Sequence, residues 1–446
     1  MKLNDICKSL LACSVGVGAL AAMPAHAEQT TITLARFFGA CEADYGKVND
    51  VTKAKGECGI ITSLVNQFNA TNKDGIVVKP EIAEWGPYYD QLTSRIVAHN
   101  VPTIAVMHQS VLGDFVSRKL VEPLDDGFKS VGINTADFTP QARHGVILGG
   151  KTYALPFDTW SWLWHLNTNI LKKAGLTNAD GSPILPKSPD ELLAQAEKVK
   201  QATGKPYFAW TTANETAAPT RTFFTLVYQQ NAQVFSADGR KISVHTAAAT
   251  NALTLMNKLW TGGYIKKGLD YGATQQAFLN GDVAVDVVGN WTIDDFYTAA
   301  QKPDSALHDG YDVVPFANLY SKQAVFADGH SWVMIKGGAK SDKEKKAALT
   351  FMKFLWDHDF DWSRTGHLPA NNTVVQSAQY KAMPFRNNII DITRYGVSTP
   401  SNVPRQRAIE AIVGEEISSM MLSGKAIPAV EDAIETRVNT LLAGVK

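Results

Sequence analysis

The chain has 446 residues, with 43 lysines and arginines against 43 aspartates and glutamates and a formal net charge of zero. Such a balance gives it no global electrostatic reason to seek nucleic acid or an anionic membrane surface. Its length exceeds what one hydrophobic core organises, so two domains are expected.

At the N-terminus Lys2 and Lys8 lead into the apolar run from Leu10 to Ala22, followed by Ala25-His26-Ala27. That is the pattern of a secretory signal covering residues 1–27, and it predicts a cleaved, exported protein resident in the periplasm. A lipobox at Leu10-Leu11-Ala12-Cys13 competes with it, but Asp5 shortens the apolar stretch before Cys13 and another follows. No later segment approaches the eighteen or so apolar residues of a membrane span. Cys7 and Cys13 leave with the signal, and Cys41 and Cys58 remain. In an oxidising compartment a lone pair is most simply a disulfide, here worth about 3 kcal/mol by loop-closure entropy. A two-cysteine metal site would lack a histidine nearby in sequence.

Thr31 to Phe37 reads as a strand, and Ile61, Leu64, Val65 and Phe68 share one face of a following helix. Gly75 to Ala83 is a second strand, Tyr89, Leu92 and Ile96 mark a second helix, and Thr103 to His108 is a third strand. This alternation predicts an α/β fold of parallel sheet with crossover helices, ligands binding beyond the carboxyl ends of the strands. Gly145 to Thr152 satisfies the P-loop pattern, but a strand follows where a helix is needed, so Gly149-Gly150 reads as a hairpin turn. Lys151 to Phe157 and Trp162 to Leu166 are apolar strand-like runs, and Ser188-Pro189-Asp190-Glu191 opens a capped helix. Helices follow at Arg221 to Gln230, Ala247 to Trp260 and Thr274 to Leu279, with strands at Val283 to Val288, Tyr311 to Pro315 and Ser331 to Ile335. The tail is helical over Asp342 to Trp356, Arg405 to Leu422 and Ile427 to Leu442. Crossings between domains are expected near Ala154-Leu155-Pro156 and Val314-Pro315-Phe316.

Ten tryptophans are present, and several stand among small or turn-forming residues at the ends of apolar runs. An indole on a cleft wall makes a rigid platform for ligands with apolar faces and polar edges, which describes sugars. Trp85, Trp160, Trp291 and Trp332 are read as such platforms, with Trp210 undecided and Tyr89 beside Trp85. Trp260, Trp356 and Trp362 go to the core, joined by Trp162 and Trp164. Asp158, just past an apolar strand, is a candidate to accept sugar hydroxyls, against a bland role capping a turn. His108, Gln109 and Asn290 lie at strand ends; Asn214, Glu215 and Arg221 follow the short strand Tyr207 to Ala209, with a surface Glu215–Arg221 ion pair as the bland alternative. With no His-x-x-His spacing anywhere, His330 reads as a hydrogen-bonding cleft histidine rather than a metal ligand, and no metal, cofactor or catalytic residue is expected.

Lys151-Thr152-Tyr153-Ala154-Leu155-Pro156-Phe157 with Asn167 and Leu171-Lys172-Lys173-Ala174-Gly175-Leu176, then Gln276 to Ala284 with Gly289-Asn290-Trp291, then Thr365-Gly366-His367-Leu368-Pro369-Ala370, resemble three motifs of the family 1 extracellular solute-binding proteins, the maltose-binding-protein-like receptors of ABC importers. The resemblance implies a two-lobed periplasmic-binding-protein (venus-flytrap) fold, each lobe a mostly parallel sheet flanked by helices. Its lobes would be discontinuous, 28–156 plus about 317–360 and 157–316 plus about 361–446. It places Trp291 where the family stacks a tryptophan on sugar and Asp158 where an acidic residue binds sugar hydroxyls. Met107 to Ser110 would line the first lobe's side of the cleft, without the Trp and Asp that maltose receptors carry there. A non-enzymatic monomer that captures a mono- or oligosaccharide and presents it to ABC importer transmembrane permease subunits is the leading expectation. A polyol or glycerol-phosphate receptor and a secreted carbohydrate-active enzyme are the alternatives. The enzyme would need two carboxylates across a bond, and Asp158 with Glu215 is the pair to nominate.

Overall fold

The computed structural model describes residues 29–85, 87–213 and 215–445, so the signal expected at 1–27, Gly86 and Asn214 lie outside the described residues. Among the described residues the strands form two main sheets, each with its own hydrophobic core. Ile32 and Leu34 of the strand Thr30–Arg36 are buried in the first core, and that strand pairs in parallel with Ile76–Ile82 on one side and Ile104–His108 on the other. Helix Gly56–Thr71 contributes Ile60, Ile61, Leu64, Val65 and Phe68 to this core, and helix Asp342–Asp357 contributes Phe351, Met352 and Leu355. Beyond Ile104–His108 the sheet continues with His330–Met334 and Leu155–Pro156.

The second sheet is built on the strand Asp158–Asn167, all ten of whose residues are buried. Against it run Val285–Gly289, Tyr311–Pro315, Val325–Asp328 and Leu368–Pro369, all antiparallel. Phe208–Ala209 and Ile265–Lys266 extend the sheet in parallel past Val285–Gly289. A mostly parallel sheet therefore describes the first three strands of the first lobe and not this one. The long strand enters straight from the first lobe, and the strands that pair with it run back toward the junction.

The run expected as one strand, Lys151 to Phe157, divides. Ile147–Leu148 and Lys151–Thr152 form a hairpin closed by Gly149 at φ 56° and Gly150 at φ 76°, the left-handed pair that a two-residue turn requires. Leu155–Pro156 then joins the first sheet and Asp158 opens the second, so the first crossing is at Phe157. The second lies at Gly329, between Val325–Asp328 and His330–Met334, and not near residue 315. Ala317, Leu319 and Ala324 to Ala327 pack in the second core, because Gln229 Nε2 donates to the carbonyls of Ala317 and Ala324 and holds that loop under helix Ala217–Gln229. The third passes from Trp362, in the first core, to Leu368 in the second, and Ala370 returns to the first.

Candidate functional site

The parallel strands of the first sheet deliver an aromatic wall at their carboxyl ends. Phe37 follows Thr30–Arg36 and stacks on His108 at 5.3 Å and 13° between planes. Tyr89, the second residue of helix Tyr88–Val97, holds that imidazole: its hydroxyl lies 2.9 Å from His108 Nδ1 and accepts from the His108 backbone N–H at 2.8 Å. Burial, and then the neighbouring His330, Arg221 and Arg407, push the His108 pKa well below the usual range, so the ring is neutral. Trp85 leans on both Phe37 and His108 and keeps 44% of its surface exposed.

At the junction, one carboxylate ties the chain crossings together. Asp158 Oδ1 accepts from the His330 backbone N–H at 2.9 Å, and Oδ2 accepts from His330 Nδ1 at 2.8 Å and Trp362 Nε1 at 2.7 Å. His367 Nδ1 stands 3.8 Å from the same Oδ2, and His367 Nε2 donates to Glu57 Oε1 at 2.8 Å. Burial alone would raise the Asp158 pKa, but His330 and His367 hold it down to about 2. Burial would likewise lower His367, and Asp158 and Glu57 together keep it above the ordinary value. Gly366 makes this approach possible: at φ 105° it lies against the Asn290 carbonyl, where a Cβ would stand 2.1 Å away. Glu57 is presented by its neighbour Cys58, which forms a disulfide with Cys41 (Cα–Cα 6.1 Å). Arg36 packs inside the same loop, donating to the Gly39 carbonyl and Thr62 Oγ1 and pairing with Glu42.

The second lobe answers with Trp160, Trp291 and Arg221. The alternation of Trp160, Trp162 and Trp164 grades from junction to core. Trp160 reaches His108 and His330, Trp162 meets Trp291, and Trp164 packs on Phe208 and Phe316. Trp291 is set edge-on to Trp160 at 5.8 Å, and its Nε1 donates to the Tyr271 hydroxyl. Arg221, the one residue of helix Ala217–Gln229 that is not fully buried, lies 4.6 Å over the Trp160 ring and is held by Glu410 at 2.9 Å. Arg407, from helix Gln406–Ser423, reaches across to the first lobe and sits 5.0 Å over Trp85 and 4.9 Å over Tyr89. It has no carboxylate partner among the described residues.

The structure thus gathers Trp85, Tyr89, His108, Asp158, Trp160, Arg221, Trp291 and His330 at the junction of the lobes. Asn290 is there as well, donating to the Thr159 carbonyl with its own Oδ1 unpartnered among the described residues. Gln109 is buried between Gly145 and Gly329 with both amide atoms likewise unpartnered. Three candidates sit elsewhere. Trp332 has no exposed surface and packs against Phe38 and Phe157 in the first core, because its strand is paired on both sides. Trp210 is buried in the second core beside Trp164, Phe208 and Leu255. Glu215 caps helix Ala217–Gln229, accepting from Ala217 N at 2.6 Å and Ala218 N at 2.9 Å, so neither a ligand contact nor an ion pair to Arg221 describes it. Trp160 is on the junction, but Arg221 covers its face. Phe37 and Phe38 stand on the rim expected beyond the carboxyl ends of the strands, whereas sequence reasoning missed His367, Glu57, Tyr271 and Arg407. Of these only His367 carried a signal, through its Thr-Gly-x-Leu-Pro-Ala context.

Comparison with known proteins places this geometry. A family model described as "Bacterial extracellular solute-binding protein" matches residues 63–387. A putative binding protein of Brucella abortus (strain 2308) is 24% identical over 352 residues, 76% of this chain and 80% of its own. The putative ABC transporter periplasmic-binding protein YcjN of Escherichia coli (strain K12) is 27% identical over 335 residues, 72% of each chain. The fold is shared with the sugar-binding protein MalE of Xanthomonas citri at a TM-score of 0.76 and 17% identity, covering 93% of this chain and 98% of that one. With the model spanning most of the described chain and the two-lobed fold matching throughout, the protein belongs to the bacterial extracellular solute-binding protein family.

Proposed function

We propose that this protein is the sugar receptor of an ABC importer, taking a neutral mono- or oligosaccharide between its lobes and presenting it to the membrane permease subunits. The observation that carries the reading is the junction itself. Aromatic rings from both lobes converge there: Trp85, Tyr89 and Phe37 from one, Trp160 and Trp291 from the other. Trp85, 44% exposed, and the partly exposed Trp291 supply platforms for the apolar faces of a sugar. Groups bridging two lobes give the differential affinity that favours the closed state. The fold shared with the sugar-binding protein MalE of Xanthomonas citri supports the same class.

The alternatives fare less well on the same residues. An anionic solute needs uncommitted cations, and Arg221 and Arg36 are paired with Glu410 and Glu42, leaving Arg407. A glycosidase needs two carboxylates flanking a bond, whereas Asp158 is engaged by His330 and Trp362 and Glu215 by a helix N-terminus. We further assign the mature chain to the periplasm, cut after Ala27, acting as a monomer. Its lobes would meet at Phe157, Gly329 and the segment around 363–370. Calorimetry against a panel of neutral sugars and polyols tests the receptor reading. Saturable heat with the sugar recovered unchanged is expected; no binding across the panel, or turnover of the sugar, sinks it.

A further inference from the structure

The Asp158 cluster does more than hold the crossings together. Asp158, His330 and His367 stand beside three of the places where the chain passes between lobes, and they offer one ligand atom each, all within 4.8 Å of one another and all buried. His367 Nε2 donates to the Glu57 carboxylate, which can only accept, so Nδ1 is the ring atom left to bind a cation once its own proton is displaced. That atom is buried, has no hydrogen-bond partner among the described residues, and faces Asp158 Oδ2 at 3.8 Å. A divalent ion in that gap would take the place of the Nδ1 proton and answer the same buried carboxylate. Ligands about 2.0–2.1 Å from a tetrahedral ion stand about 3.3 Å apart. The Asp158–His330 separation of 2.8 Å, a hydrogen bond whose proton a bound ion would displace, and the Asp158–His367 separation of 3.8 Å bracket that value. The supporting shell is also present: Glu57 orients His367, and Trp362 Nε1 donates to the Asp158 carboxylate.

We propose that Asp158, His330 and His367 form a binding site for a borderline divalent ion of the zinc class, placed at the hinge. Two imidazole nitrogens and one carboxylate oxygen suit zinc, cobalt, nickel or copper rather than calcium or magnesium. With one ligand beside each of three crossings, a bound ion cross-links those segments and fixes their relative position. This role is separate from sugar binding and does not rest on it.

The test uses the mature full-length protein, stripped with a chelator, desalted and titrated with Co²⁺. The expected result is a visible ligand-field band saturating at one equivalent, displaced by Zn²⁺. Substituting His367→Gln should weaken Co²⁺ binding more than about 100-fold, and Glu57→Gln about tenfold or more, as loss of an orienting partner does. His245→Gln, at a surface histidine beside Asp432, should leave the band unchanged. His330→Gln replaces His367→Gln if the latter does not fold by circular dichroism. Absence of a band in the wild type, with no Zn²⁺ heat by calorimetry at tenfold excess, overturns the proposal, as does an undiminished band in a folded His367→Gln protein. Sugar calorimetry on the stripped protein is read separately, so either conclusion can fail alone.

Discussion

Replacing Asp158 by Asn removes the charge at the junction while keeping its shape, and the outcome can be worked from the contacts. One oxygen accepts from His330 Nδ1 and Trp362 Nε1, and the other from the His330 backbone N–H. An amide has one acceptor oxygen, so whichever way it turns, at least one donor meets an NH₂. Hydrogen bonds to a charged group contribute about 1.5–3 kcal/mol each, and His367 loses one of its two facing carboxylates. Breaking such a buried cluster from one side costs about 3–5 kcal/mol. The assay is urea unfolding in chelator-containing buffer, without sugar, followed by tryptophan fluorescence and compared with wild type. A loss below about 1 kcal/mol would refute the view that this carboxylate organises the hinge.

Trp85→Ala should weaken sugar binding about tenfold by calorimetry, with little change in unfolding midpoint because the ring is already 44% exposed. The double replacement Cys41→Ser with Cys58→Ser should lower stability by about 3 kcal/mol, measured as a urea midpoint against the oxidised wild type. Burial holds His165 down to about 3 from the ordinary 6.5, so the unfolded chain takes the proton first as pH falls. Its contribution is therefore complete above about pH 6.5 and is lost on the way down to about pH 3, by up to about 1.4 kcal/mol per pH unit. His165→Gln should flatten that part of the stability profile between pH 7 and 4, and an unchanged slope would contradict the assignment.

The strands and helices with clear periodicity were legible, down to the Ser188 cap, whose Oγ accepts from Glu191 N. What failed was local context taken as a sign of exposure. Trp332 follows Gly329-His330-Ser331, and the glycine is there because two lobes meet: a Cβ on Gly329 would lie 2.3 Å from the Asp158 carbonyl. The strand then dives between two others, and Trp332 goes with it. Glu215 was read as a ligand when its distance to the next two N–H groups suits a cap. Arg407 and Glu57 could not be found from spacing at all. Each acquires its partner only through contacts hundreds of residues away in sequence.

The order of strands in the first sheet also bears on when this protein can fold. His330–Met334 lies between Ile104–His108 and Leu155–Pro156, pairing with both. A ribosome that has released the first 160 residues has made most of that sheet but not the strand that joins its two parts. The early segment cannot close its core until about three quarters of the chain exists, and pairings of such long sequence separation form slowly. A chain arranged this way completes its first core only when its later half arrives beside the first.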